Sequence, residues 1–342
     1  MTTAKILNQV LLHPNFKKTI VEISKIKEIR FEPNPTKEKF DFEISNSPGN
    51  NGVMNVLEKG ENKKLDAVKG SQIAHEGYGI SAYDESFNNY FSLAGSGLLT
   101  SHSLIVHGES DYLSSNNLTF YFYTRSDEIS KQSEYIKKSI DTENDSRRDY
   151  AEDRANFILD ATPDNSILFI DGPLIGGVSN SINVKMNDAL LKRNIIPIFI
   201  VKNSNSNLVT DYVPSLKGRY NSDMHWAYTN LKLGSRSNFF IYEDQVNSEF
   251  SKIFCYLKTF DISPQRIEFH PRTYKKYQGI MDEMMHLTYY LVLVQGNLKN
   301  PQLRPIAIAE KFARETLDLF DMSNLMKTLG LVPTMNQERG FG

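Results

Sequence analysis

Short, fully apolar runs bounded by polar turns alternate with longer amphipathic stretches along this chain. Ile167 to Ile170 is such a run, too short and too rich in β-branched and aromatic residues for a helix, so it predicts a buried strand. Ile195 to Val201 reads the same way, and Val184 to Arg193 between them carries a helical pattern. Strand, helix and strand in that order predict a parallel, right-handed βαβ unit. Gly79 to Ser86, Leu98 to Val106, Leu118 to Thr124, Asn238 to Tyr242, Phe254 to Phe260 and Arg266 to His270 predict further strands, the last two a hairpin. The first of these closes on Asp84 before a polar break at Phe87-Asn88-Asn89.

Helical spacing marks residues 1–30, the stretch from Glu128 to Asp160 with a polar interruption at 141–146, and two C-terminal segments around 279–295 and 303–328. Residues 45–52 predict a loop, and the Lys- and Glu-rich 58–70 a solvated helix or excursion. The whole is an α/β chain with an N-terminal helical and loop extension (1–70), one principal domain (71–328) and a mobile tail (329–342).

Composition narrows the setting. The chain has 342 residues, 40% of them hydrophobic, enough for a core, and its mean hydropathy is −0.42. No apolar run is long enough to cross a membrane, and the N-terminus lacks the cleavage site of a signal peptide, so we expect no membrane association. The lone Cys255 excludes an intramolecular disulfide and argues against structural zinc, which suits a reducing cytoplasm. A net charge of −2 gives no overall pull toward nucleic acid.

The chemistry sits where apolar runs end in charge. Asp171 follows a buried strand directly and leads into Gly172-Pro173, and a carboxylate there is costly unless a cation or donors compensate it. Asp84 is placed alike, although Asp also simply caps turns. Two such aspartates meet only if their strands are neighbours, and together they would offer the hard oxygen donors that Mg²⁺ and Mn²⁺ take. Glu152, spaced i, i+3 and i+7 with Ala155 and Leu159, is a third carboxylate that points inward or else is an ordinary exposed charge. Lys202, at the end of the second strand of the βαβ unit, is a phosphate-holding cation or a plain surface lysine. Asp223 is an outer carboxylate or a helix cap, and Arg236 contacts DNA or stabilises its turn.

These segments, in order, resemble the NurA family of nucleases, which act with HerA-type hexameric ATPases in DNA end processing. Ile80-Ser81-Ala82-Tyr83-Asp84-Glu85-Ser86 is similar to the first family motif, with Glu85 where the family has glycine. Leu168-Phe169-Ile170-Asp171-Gly172-Pro173-Leu174 is similar to the second, preceded by a helix carrying Glu152 where the family places an acidic ligand. Ile195 to Ser204 with Lys202, then Asp223, Gly234-Ser235-Arg236 and the segment Asn300 to Glu310 resemble later positions. Asn300 and Glu310 stand roughly where family members offer Tyr and His, so Glu310 is an outer candidate. The likeness spans about residues 75–320.

The resemblance implies a ribonuclease H-like mixed sheet flanked by helices, with added N- and C-terminal helical elements. It implies a deoxyribonuclease in which Asp84, Glu152 and Asp171 hold Mn²⁺ or Mg²⁺, Lys202 assists catalysis, and Lys202 and Arg236 bind DNA. It implies a homodimer docked on a HerA-type ATPase. The alternative is a catalytically weak, nuclease-like scaffold that binds and regulates the ATPase.

Overall fold

The computed structural model of the chain describes residues 16–26, 52–58, 60, 62–76, 78–108, 111–299 and 301–334. It divides into two units, Met1–Glu38 and Lys39–Gly342. Among its described residues the first has the helix α1 (Phe16–Ile26), whose Ile20, Val21, Ile23 and Ile26 are exposed; the rest of the helix expected over 1–30 lies outside the described residues.

In the second unit β1 (Gly52–Val56), β2 (Lys63–Lys64) and α2 (Ala67–His75) precede a long meander of β3 (Gly79–Ser92), β4 (Gly95–His107) and β5 (Tyr112–Thr124). Then come α3 (Asp127–Ser130), β6 (Ile136–Lys138) and α4 (Thr142–Ala161). The expected βαβ unit is β7 (Ser166–Asp171), α5 (Asn180–Lys192) and β8 (Ile196–Val201), and its strands pair in parallel. It is followed by α6 (Leu208–Tyr212), α7 (Asp223–Asn230), β9 (Ser235–Arg236), β10 (Phe240–Asp244), the antiparallel hairpin β11 (Lys252–Lys258) and β12 (Gln265–Phe269), and then α8 (Pro271–Lys276). Helices α9 (Met281–Leu293), α10 (Arg304–Asp318) and α11 (Met322–Thr328) close the described chain.

One sheet runs in the order β1-β10-β11-β12-β8-β7-β3-β4-β5-β6, with β9 pairing β11 and β2. Within it β5-β4-β3 is an antiparallel meander, and β3, β7 and β8 are parallel. That block is the ribonuclease H-like arrangement, and the strands on the far side of β8 extend it.

Residues Ile167–Ile170 of β7 and the whole of β8 are apolar because both of their faces are covered. Ala82, Ile167, Phe169, Ile198 and Ile200 face α9 and α10, packing on Met281, Met284, Leu287, Leu291 and Ile306. Tyr83, Leu168, Ile170 and Phe199 face the other way, onto Ala155 and Ile158 of α4 and Met186 and Leu190 of α5. This alternation decides which side chains can share a site.

Several expectations shift. Strand β3 does not stop after Asp84 but runs on to Ser92, because β4 supplies pairing partners through the polar stretch. Gly95 makes the hairpin possible: its φ is +153°, and a Cβ there would lie 2.1 Å from the Tyr123 carbonyl. The helix read from 128 is a single turn and a short strand before α4, and the one read over 303–328 breaks where Asp321 caps α11. Gly52–Val56 and Lys63–Lys64 join the sheet, ahead of residue 71 where the principal domain was expected to start. Of the expected tail, Val332 and Thr334 hydrogen-bond to Leu93 and Phe91, while residues 335–342 lie outside the described residues.

Candidate metal and nuclease site

The parallel register places Tyr83 beside Ile170, so the next pair along these neighbouring strands is Asp84 and Asp171. By alternation both project from the face that carries Ala82 and Phe169, toward α10. Lys202, two residues beyond Ile200 on β8, emerges on that same face. Its Nζ lies 2.9 Å from Asp171 Oδ2, 3.6 Å from Asp84 Oδ2 and 3.9 Å from Glu310 Oε2 of α10. The middle of β3, the ends of β7 and β8 and one helix thus bring together Asp84, Asp171, Lys202 and Glu310.

The two aspartates differ in depth. The Asp84 side chain is 6% exposed and that of Asp171 is 23% exposed. Burial pushes the Asp84 carboxyl up to about 8, with Asp171 adding to the shift and Lys202 opposing it. Burial disfavours the Lys202 charge, but Asp171 and Asp84 outweigh it and hold the ammonium above its ordinary value. Asp84 Oδ1 accepts from the Glu85 backbone N–H at 2.8 Å, whereas buried Asp84 Oδ2 has no hydrogen-bond donor. Ser101 and Ser103, cross-strand from Ser86 and Asp84, also bury hydroxyls without partners.

Among the described residues no three His, Cys, Asp or Glu side chains meet as a set that could hold a metal ion. The Asp84–Asp171 pair nevertheless fits a hard divalent cation in its chemistry. Its donors are carboxylate oxygens, one of them buried and without a donor, in a spot where added positive charge relieves the cost of ionising Asp84.

Glu152 is not brought to this pair. It is exposed, on a helix that covers the opposite face of the sheet. The buried stripe of α4 is Ala151, Arg154, Ala155 and Ile158, and at ~100° per residue Glu152 lies well round from its centre. That helix instead delivers Arg154, whose Nη2 donates to the Asp171 carbonyl at 2.7 Å. An arginine in the middle of an apolar stripe was the overlooked signal. Glu85 faces α4 as well, accepting the Tyr150 hydroxyl.

Arg236 is fully buried and cannot meet DNA: its guanidinium grips Glu58 through two hydrogen bonds of 2.6 and 2.9 Å and Asp282 through one of 2.6 Å. Asp223 is also fully buried. Its oxygens accept from the Val209 and Thr210 backbone N–H groups and from the Thr210, Ser206 and Tyr256 hydroxyls. It thereby satisfies first-turn N–H groups of α6 from outside that helix, whereas Ser222 is the N-cap of α7, so Asp223 is neither an outer carboxylate of the site nor the cap of its own helix. Glu310 stays near the pair, bonded to Gln302 and Arg314. With Gln302, Lys311 and Arg314 it lines a polar groove of about 360 Å³. Asn300 lies outside the described residues.

A family model described as NurA domain matches residues 78–284, more than half of the chain. The chain matches no curated protein sequence. Among solved structures, the NurA nuclease from Sulfolobus solfataricus is similar at 12% identity and a TM-score of 0.49, over 96% of this chain and 98% of that one. A NurA bound to dAMP and manganese is similar at 8% identity and a TM-score of 0.35, over 81% and 90%. Endonuclease V from Ciona intestinalis, solved in complex with a 24-mer DNA containing an inosine followed by a ribo-adenosine, is similar at 12% identity and a TM-score of 0.35, over 71% and 87%.

Proposed function

The chain belongs to the NurA family, and from that premise we propose that it is a divalent-metal-dependent nuclease hydrolysing phosphodiester bonds of DNA. The observation that carries the reading is the side-by-side placement of Asp84 and Asp171 on parallel strands, with a buried acceptor and the Lys202 ammonium between them. Asp84 and Asp171 would hold Mn²⁺ or Mg²⁺. Bound there, such an ion lowers the pKa of water and stabilises charge on phosphoryl oxygens. Lys202 remains protonated and serves as a point cation for a phosphate oxygen or for the charge that develops on it. Glu310 holds Lys202 from the helix side.

The reading extends to the protein's setting. It would act in the cytoplasm as a homodimer, on DNA ends presented by a HerA-type hexameric ATPase. A second reading, a weak nuclease that chiefly binds and regulates that ATPase, draws on Glu152 standing apart from the pair.

One experiment separates them. End-labelled single- and double-stranded linear DNA is incubated with Mn²⁺ and the parent, Asp84→Asn or Asp171→Asn, with and without the ATPase. The nuclease reading expects degradation by the parent, reduced on the order of 10²-fold or more in either folded variant. Equal cutting by parent and variants sinks the site assignment. A tight complex with no product above background selects the scaffold.

A further inference from the structure

Helix α4 lies behind the sheet; Asp149 and Asp153 bond to Tyr123 and Tyr121 of β5, while Arg154 and Tyr150 reach the two strands that carry the aspartates. Arg154 is 6% exposed, in a stripe otherwise made of Ala151, Ala155 and Ile158. Its Nη2 holds the carbonyl of Asp171 itself, and its guanidinium lies 5.5 Å from the centre of the Tyr83 ring, the residue before Asp84. Glu85, the residue after Asp84, accepts the hydroxyl of Tyr150, one turn earlier on the helix. Burial works against the Arg154 charge, and Glu85 leads the groups that keep it protonated. The Tyr83 hydroxyl reaches His102 Nδ1 at 2.7 Å, which ties β4 to the same assembly.

Packing does not require this polarity. Buried ion networks are commonly no more stabilising than apolar residues of the same volume. This one is imperfectly satisfied, since Arg154 Nε and Glu85 Oε2 have no hydrogen-bond partners. A costly network centred on the immediate neighbours of two carboxylates points to a role in placing them.

We propose that Arg154, Tyr150 and Glu85 form a brace through the back of the sheet that sets the spacing of the Asp84 and Asp171 carboxylates for a divalent cation. Arg154 and Tyr150 are positioning residues, acting through the Asp171 carbonyl and through Glu85. The inference rests on the metal-nuclease reading and adds how the pair is held. It also gives Glu85 a task, as the acceptor that links β3 to α4.

The test measures Mn²⁺ binding to the whole chain by loss of the free-ion EPR signal, with melting temperatures alongside. The samples are the parent, Tyr150→Phe, the double variant Arg154→Met/Glu85→Gln, and Asp171→Asn. Tyr150→Phe keeps the ring and loses only the hydroxyl, and the double variant removes the buried Arg154 and the half-buried Glu85 charges together, so both are expected to fold. The brace predicts Mn²⁺ binding roughly 10- to 100-fold weaker in each, the range for losing a group that orients a ligand. Parent affinity in either folded variant overturns the brace. Failure of the metal reading looks different: the parent then binds Mn²⁺ no better than Asp171→Asn, and the brace falls with it.

Discussion

Asp84 carries the largest electrostatic burden of any residue in the cluster. Its carboxyl is pushed up to about 8 by burial and then by Asp171, against about 4 in an unfolded chain. Between those values the folded state binds a proton that the unfolded state has lost, so this group makes stability fall as pH rises from about 4 to 8, and level off above. Asp84→Asn keeps the shape and removes the ionisable group. Metal-free Asp84→Asn should therefore melt above the parent at pH 9, with the gap closing as pH drops toward 4, while Mn²⁺ stabilises only the parent. Melting curves in EDTA check it, and a variant less stable than the parent at pH 9 refutes it. Asp171 and Asp84 were legible in the sequence because each is a carboxylate that closes a short strand-like run, where it needs a compensating partner. Lys202 was legible as the end of a buried strand, but its three carboxylate partners come from β3, β7 and α10, whose meeting no local pattern encodes.

At the scale of elements, apolar runs read more clearly than helix faces. The unit β7-α5-β8 was legible because strands covered on both faces carry continuous apolar runs, Ile167–Ile170 and Ile196–Val201 here. The length of β3 was hidden, since Asn88 and Asn89 are poor strand formers that pair here only because β4 lies alongside. On helix α4 the sequence left Glu152 either inward or exposed, and the structure exposes it. Glu152 with Ala155 and Leu159 gave one spacing, but Ala151, Arg154, Ala155 and Ile158 form the buried stripe, and the arginine among them disguised it. The consequence is measurable. Glu152→Ala should change neither Mn²⁺ affinity nor stability by more than about 0.5 kcal/mol, as expected for an exposed position. A tenfold loss of Mn²⁺ affinity would return Glu152 to the metal.

The whole molecule depends on contacts between segments far apart in the chain. Strand β1 pairs with β10, and the loop after β1 brings Glu58 to Arg236 of β9, which also holds Asp282 at the start of α9. Helix α9 packs on the same sheet face as α10, which carries Glu310, so this node ties the extended half of the sheet to the layer above the site. Glu58 is held below its ordinary pKa despite burial, chiefly by Arg236 and Lys63, which marks it as charged and in need of its partner. A Gly-x-Arg turn suggests surface and DNA, because loops usually run over surfaces; only the fold reveals an arginine with no exposed side chain. The two roles predict opposite behaviour for Arg236→Met. As an internal staple, its loss leaves Glu58 with Lys63 and the Phe239 N–H alone and should cost about 2–3 kcal/mol in urea unfolding. The salt dependence of DNA binding by the folded protein would then stay as in the parent. As a phosphate contact, its loss would leave stability nearly intact and lower the slope of log affinity against log salt by about one. The complete burial of the guanidinium and its paired grip on Glu58 commit this structure to the first outcome.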